Sequence, residues 1–273
     1  MDLTAVREVV DGCSTLPWEP GEAWLAGGTA LFAEPRTDLW RLRDLSRCGW
    51  PPLTVTEDGL GVAATCTISD LLAFARTPGQ PWPQARTLIA DCCRAFSSSF
   101  KVWNTATVGG NVCLALPAGP MISLAVALDG MCQVRGRDGR RSRVPVTDFV
   151  TGPGHTVLRP GDLLRSLHLP AAALTRPVAW RRVSLRPLGR SAALVTGTRA
   201  SGTGRTSIAV TAATIRPVVL TFDRPPAATV LHDALEDALG PGLIVEDVHG
   251  LPAWRRHLVF QLADEVRRAL SRR

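Results

Sequence analysis

Two pairs of adjacent glycines, Ala106-Thr107-Val108-Gly109-Gly110-Asn111 and, upstream, Ala26-Gly27-Gly28-Thr29, constrain this chain more than any other feature. Glycine tolerates positive φ and has no Cβ to hold a ligand away, so successive N–H groups can form a concave anion-binding nest without a lysine. Thr29, Thr107 and Asn111 would add side-chain hydrogen bonds. An isolated Gly-Gly pair also marks an ordinary turn, but here two such turns each follow an apolar or strand-like segment. Neither fits the usual nucleotide fingerprints: the sequence has no G-x-x-x-x-G-K-[ST], and no G-x-G-x-x-G opening a helix near its start. A dinucleotide held between two loops remains compatible with both.

The 273 residues can bury a sizeable core, in about two or three compact units of ~100–150 residues. No uncharged apolar run approaches the ~20 residues that a membrane span needs. The start, Met1-Asp2-Leu3-Thr4-Ala5-Val6-Arg7-Glu8, is acidic and amphipathic, unlike a secretory signal, which makes a cytoplasmic location the expectation. A net charge of +7 invites a nucleic-acid reading, yet Lys101 is the only lysine and tyrosine is absent, a bias of composition more than a design for phosphate. Arg135, Arg137, Arg140, Arg141 and Arg143 flank Asp138-Gly139, which reads as the turn of a solvated hairpin. With 5% aromatic residues and no recognition-helix or zinc-finger pattern, neither nucleic acid nor a membrane span is expected.

None of the seven cysteines (13, 48, 66, 92, 93, 113 and 132) forms a C-x-x-C pair, so no zinc ribbon or ferredoxin-like cluster is encoded and no metal site is expected. Cys92 and Cys93 fall in Gln84–Phe96, where apolar residues recur at helical spacing, and read as buried, reduced thiols. The five histidines form no H-E-x-x-H, and no G-x-S-x-G elbow is present, so no catalytic side chain is assigned.

The pattern gives an α/β start and an α+β finish. Ala23–Ala26, Leu53–Thr56 and Leu60–Cys66 read as strands, and Thr67 or Ser69 can cap a helix over Asp70–Arg76. Met121–Leu128 is apolar all round and reads as a buried helix. Met131–Val134, Val144–Val146 and Leu163–Leu169 read as an antiparallel sheet, and Pro170 with Ala171-Ala172-Ala173 as a linker. Beyond it, Val178–Leu185, Ala192–Gly197, Ser207–Thr214 and Val218–Phe222 have strand character, and Ala228–Leu239 and Trp254–Ser271 read as helices on their sheet. Ser201-Gly202-Thr203-Gly204 is a hairpin tip.

Several of these segments, taken together, resemble one family. Thr105 through Asn111, Pro117-Ala118 and Leu124–Asp129 are similar to the second FAD loop and following helix of the flavoprotein subunits of molybdenum hydroxylases, of the carbon monoxide dehydrogenase and xanthine dehydrogenase type. Ala26-Gly27-Gly28-Thr29 resembles their first FAD loop. Val144–Phe149, Thr151–Gly154 and Leu158–Pro170 resemble the end of the FAD region, and Leu251–Leu258 the helix that closes the C-terminal domain.

The resemblance implies an α+β fold: a two-lobed FAD-binding domain of the molybdopterin-dehydrogenase (PCMH) type at 1–170, with lobes of about 1–58 and 59–170, then a small α+β domain at 174–273. It implies FAD held by Ala26, Gly27, Gly28, Thr29 and Ala30 on one side and Thr107, Gly109, Gly110 and Asn111 on the other, with Leu163 or Leu164 lining the flavin cleft. Arg182, Arg186 and Arg190 would stand near its rim, and Trp180 would replace the tyrosine that the family often places near the flavin. Electrons would arrive from an iron–sulfur subunit of a complex with a separate molybdenum cofactor subunit, and leave to NAD, oxygen or a quinone. The chain would be an oxidoreductase subunit in which the flavin carries the redox chemistry.

Two departures bear on the cofactor. Ala30 stands where many members have Asp or Ser, and the polar Ser-Pro-x-x-Asp becomes Leu116-Pro117-Ala118-Gly119-Pro120. Each lost hydrogen bond costs about 0.5–3 kcal/mol, up to ~100-fold in affinity. A flavin-free scaffold or assembly protein with the same fold is therefore the alternative.

Overall fold

The computed structural model describes residues 3–272, so Met1 and Asp2 of the N-terminal segment lie outside the described residues. The first lobe is a three-stranded parallel sheet of β1 (Glu8–Asp11), β2 (Glu22–Leu25) and β3 (Arg41–Asp44), in the order β1-β3-β2. A 3-10 turn, Leu45–Cys48, follows β3. This lobe buries few apolar side chains, chiefly Leu39, Leu42 and Leu45. Its centre is ionic: Glu22, on β2, bridges Arg41 and Arg43 of β3, and all but Arg41 are almost fully buried.

The second lobe opens with the hairpin of β4 (Leu53–Thr56) and β5 (Gly59–Ala63). The sequence reading groups β4 with the first lobe; the tight turn at Glu57-Asp58 pairs it with β5, so β4 belongs to the larger sheet. Next come α1 (Ile68–Arg76), α2 (Pro83–Ala95), α3 (Phe100–Trp103), α4 (Val108–Leu114) and α5 (Pro120–Ala127). Thr67 is the cap of α1: its hydroxyl accepts from the Asp70 N–H at 3.0 Å while the Asp70 carboxylate accepts from the Thr67 N–H at 3.2 Å.

Strands β6 (Met131–Arg135) and β7 (Arg141–Pro145) form the arginine hairpin, with Gly139 at φ +82° in its turn. Val146, expected in β7, instead opens the short α6 (Val146–Phe149), followed by the small ribbon β8 (Val150–Gly152) and β9 (His155–Thr156). Central β10 (Leu163–Pro170) completes a sheet ordered β4-β5-β10-β6-β7.

The expected linker is a helical turn, α7 (Ala171–Leu174). Ala173 and Leu174 are wholly buried, which pins the chain to the core instead of letting it swing. The last domain is an antiparallel sheet of β11 (Val178–Ser184), β12 (Ser191–Arg199), β13 (Thr206–Thr211) and β14 (Val218–Phe222), with α8 (Ala228–Ala238) and α9 (Pro252–Ser271). β12 is buried from Ser191 to Thr198 because α5 covers one face of this sheet and α9 the other. The Ser123 and Thr211 hydroxyls, 2.7 Å apart, and the Ala212 N–H donating to the Pro117 carbonyl tie the sheet to α5. Arg255 of α9 is 1% exposed and donates to the carbonyls of Gly250, Ala192 and Ala212 and to Asp247. Burial lowers its pKa, and Asp247 partly offsets this. Among the described residues no helix is long and apolar enough to cross a membrane.

Candidate functional site

The two glycine segments meet. A Cβ at Gly27 would fall 2.7 Å from the carbonyl carbon of Thr105, nearer still to its oxygen, and 3.2 Å from Ala106 Cα, so only glycine lets the first turn rest on the strand-like segment that leads into α4. Gly28 lies at φ +70° with the Phe32 ring against it. The turn closes through Phe32 N–H to the Gly28 carbonyl at 2.8 Å and Ala33 N–H to the Ala30 carbonyl at 3.1 Å. Among the described residues, the N–H groups of Gly28, Thr29, Ala30 and Leu31 have no protein acceptor. Thr29 and Ala30 are exposed, and Ala26 and Gly27 half-buried. The first turn is therefore a run of available donors around a left-handed residue, as the nest reading expects.

The second segment differs from that reading. Gly109 and Gly110 form the first turn of α4, and neither has positive φ. Backbone bonds from Val108 N–H to the Cys66 carbonyl (2.8 Å) and from Gly109 N–H to the Ala64 carbonyl (3.0 Å) lace it to the chain entering α1. Gly109 is a packing residue: a Cβ there would lie 2.5 Å from that of Ala64. Thr107, 6% exposed, caps the helix by accepting from Gly110 N–H at 3.0 Å. The N–H groups of residues 108–111 are thus all spent within the protein.

Asn111 braces α5, its Oδ1 accepting from Met121 N–H at 3.1 Å. This gives one free N–H of the α5 N-terminus an acceptor, next to Pro120, which has no N–H of its own. Gly110 is the open position, exposed and with only the Thr107 hydroxyl close to where a side chain would start.

Lobe one also reaches the start of β10. Trp24 Nε1 donates to the Asp162 carbonyl at 3.0 Å, and Gly161 fits beneath Trp18. Leu163 and Leu164 adjoin that contact, but at 3% and 2% exposure both are core side chains and line no open cleft. Arg182 is turned onto its own hairpin, donating to Ser191 Oγ at 2.7 Å and to the Gly189 carbonyl. That hairpin touches the second lobe where Ser97 Oγ donates to the Gly189 carbonyl at 2.9 Å. Trp180 lies elsewhere, lining a cavity of about 520 Å³ with Pro83, Thr87, Leu88, Arg181 and Ala269. The glycine turns form an open face, and the concave spaces between α1 and α2, beside Trp180 and at the β12–β13 tip contain none of their residues.

Three features escaped the sequence reading. Glu22, with its side chain wholly enclosed, is pushed up by burial, but Arg43 and Arg41 more than offset this and hold it below the usual carboxylate value. Cys13 and Cys48 form a disulfide, their Cα atoms 5.6 Å apart. The Gly27–Thr105 contact needed the packing of two lobes to be visible. Cys92 and Cys93 are fully buried, as expected of core thiols, and burial pushes Cys93 up to about 12 and Cys92 well above its ordinary value.

The fold is shared with solved proteins. Quinoline 2-oxidoreductase from Pseudomonas putida 86 superposes with a TM-score of 0.77 over 99% of both chains at 19% identity. Carbon monoxide dehydrogenase from Hydrogenophaga pseudoflava gives 0.73 over 92% of this chain and 89% of that one, at 20% identity. Among curated proteins, xanthine dehydrogenase 1 of Arabidopsis thaliana is 26% identical over 171 residues, 59% of this chain. The xanthine dehydrogenase/oxidase of Gallus gallus is 26% identical over 159 residues, 55% of this chain. In both cases the match spans only 12% of the relative. Residues 4–172, more than half the chain, match the family described as the FAD binding domain in molybdopterin dehydrogenase, and the chain belongs to that family.

Proposed function

We propose that this chain holds FAD as the electron-transfer unit of a molybdenum hydroxylase, with the iron–sulfur and molybdenum cofactor centres on partner subunits. One observation carries the reading: the glycine-only contact of Gly27 with Thr105 packs the turn bearing the unpaired N–H groups of residues 28–31 against the segment that leads into α4. The donor set suits a pyrophosphate, whose anionic oxygens take several N–H groups at once.

Gly28, Thr29, Ala30 and Leu31 would bind the anionic oxygens through the backbone, with the Thr29 hydroxyl as an added donor. Thr107 and Asn111 would act mainly by position, since the Thr107 hydroxyl and Asn111 Oδ1 hold the first turns of α4 and α5. Gly110 would let the dinucleotide lie flat on that surface. Bound FAD would supply the electron exchange between an iron–sulfur donor and an external acceptor such as NAD, oxygen or a quinone. No protein group need transfer a proton for that role.

A second reading, a flavin-free scaffold or assembly protein, is favoured by a specific observation: the N–H groups of residues 108–111 are spent internally, and Leu116 and Pro120 add no polar group. The visible spectrum of the purified chain, alone and after incubation with FAD, separates the two. Flavin absorbance retained through gel filtration supports the first. Its absence from a folded chain, with partner subunits present, supports the second.

A further inference from the structure

We infer that Cys13 and Cys48 are a reversible redox tie whose state sets how firmly the first lobe holds its glycine turn in place. Cys13 follows edge strand β1, and Cys48 ends the 3-10 turn after β3, so the bridge joins the two paired strands at one end. The 35-residue separation between them encloses β2, the whole Ala26-Gly27-Gly28-Thr29 turn and β3. No other covalent link reaches that segment among the described residues.

The lobe it closes has little else to hold it. All apolar residues of the two large cores lie beyond residue 58, apart from Trp50 and Leu53 packed at the margin of one. β1 is mostly exposed, joined to β3 by its ladder and by Glu8 with Arg41 at 2.6 Å. A lobe of this kind depends on staples, as small disulfide-dependent domains do.

The pair is also open to reagents. Cys13 is exposed and Cys48 half-buried, whereas Cys66, Cys92, Cys93 and Cys132 are buried and Cys113 is half-buried, so a reductant meets the pair first through Cys13. Asp11 holds Cys13 in place, its Oδ1 accepting from the Cys13 N–H at 2.7 Å, and the same oxygen lies 4.0 Å from Cys48 Sγ.

The step needs a dithiol reductant, of which dithiothreitol is the laboratory form. One reductant thiolate attacks a sulfur of the pair, the protein S–S bond breaks and a mixed disulfide forms. The second reductant thiol then displaces the protein sulfur. Two electrons and two protons pass to Cys13 and Cys48, which become thiols, and the reductant leaves as its own disulfide. Reduction frees β1 and the chain entering β2, and the donors at residues 28–31 lose their fixed spacing. The consequence for FAD rests on the function proposed above; the tie itself does not.

The test uses the full chain, oxidised and dithiothreitol-reduced, with a Cys13→Ser/Cys48→Ser double variant. Thiols are counted in denaturant, amide exchange is followed across residues 8–44, and FAD is titrated in each state. The inference expects five thiols before reduction and seven after. It expects protection in the first lobe to fall on the order of a hundredfold on reduction, and FAD affinity to fall about tenfold or more. The double variant should behave as the reduced form under both conditions; should it fail to fold, the reduced wild-type chain decides. Seven thiols in the untreated, air-exposed chain, or first-lobe exchange identical in both states, overturns the inference. If FAD binds neither form while exchange still responds to reduction, the tie stands and the flavin reading fails.

Discussion

Replacing Gly27 by alanine tests the contact on which the site depends. The new Cβ would meet the Thr105 carbonyl carbon at 2.7 Å, against an ordinary contact of 3.4 Å or more, and both partners are backbone. Neither can rotate away, and the Thr105 oxygen is closer still, so the first turn must lift from the second lobe by more than about 1 Å, an overpacking strain at the upper end of about 1–3 kcal/mol. Gly27 has no positive φ, so alanine also gains about 0.4–1 kcal/mol by restricting the unfolded chain. The net is a loss of ~1–2 kcal/mol, or roughly 2–8 °C in Tm for a chain of this size.

The effect on FAD should be larger than on the fold. A shift of that size takes the donors of residues 28–31 out of register with a pyrophosphate. Each charge-assisted bond lost costs about 1.5–3 kcal/mol, roughly ten- to hundredfold in Kd. Gly240→Ala is the control, because nothing lies within 4 Å of its Cβ position and its φ is not positive. Thermal unfolding and FAD fluorescence titration of the two variants give the answer. Gly27→Ala matching Gly240→Ala in both assays would refute the argument that the two turns are held together by a backbone contact.

Glu22→Gln should cost about 3–5 kcal/mol, because it leaves the enclosed Arg43 without its counter-charge; a urea midpoint within error of wild type would contradict this. Because the folded state lowers the Glu22 pKa, its contribution is full above the unfolded value of ~4.3 and is lost as pH falls through the folded value. Acid titration of wild-type stability should therefore show a loss below that point which Glu22→Gln lacks. Arg255→Met should cost about 1–3 kcal/mol by leaving the buried carbonyls of Ala192 and Ala212 without their donor, while exposed Asp247 returns to solvent, measured by denaturant unfolding. Thr107→Ala removes the α4 cap and should cost ~0.5–2 kcal/mol, read by Tm and by faster exchange of the Gly110 amide.

Much of the fold was legible because local rules and packing agree. Thr67 or Ser69 offered a cap for a helix and the structure uses Thr67, Asp138-Gly139 announced a hairpin, and the all-apolar run after Pro120 announced a buried helix. The misreadings arose where tertiary contacts overruled local preference. Two glycines each disfavour a helix by about 1 kcal/mol, so Gly109-Gly110 read as a loop; the Thr107 cap and the backbone bonds to Ala64 and Cys66 reverse that. Ala171–Ala173 read as a linker because small residues carry no periodic signal, yet Ala173 lies in the core.

In the candidate site, the two glycine segments stand out in the sequence, but their different surroundings do not. Gly27, Gly109 and Gly110 look alike in sequence, and only the packing assigns them a lobe contact, a helix contact and an open face. Cys13 and Cys48 carry no spacing signal either. Their pairing follows from the parallel alignment of β1 with β3, a contact between segments more than thirty residues apart.

The most direct test of the central claim is FAD titration of the folded wild-type chain beside Gly110→Trp. At Gly110 the new Cβ would meet only the Thr107 hydroxyl, at 2.9 Å, a side-chain atom that can turn aside at the cost of the α4 cap, so the variant should still fold, and its far-ultraviolet spectrum checks this. The account predicts stoichiometric, saturable FAD binding by the wild type and none by Gly110→Trp. Undiminished FAD binding by Gly110→Trp, or no binding by a folded wild-type chain, would contradict it.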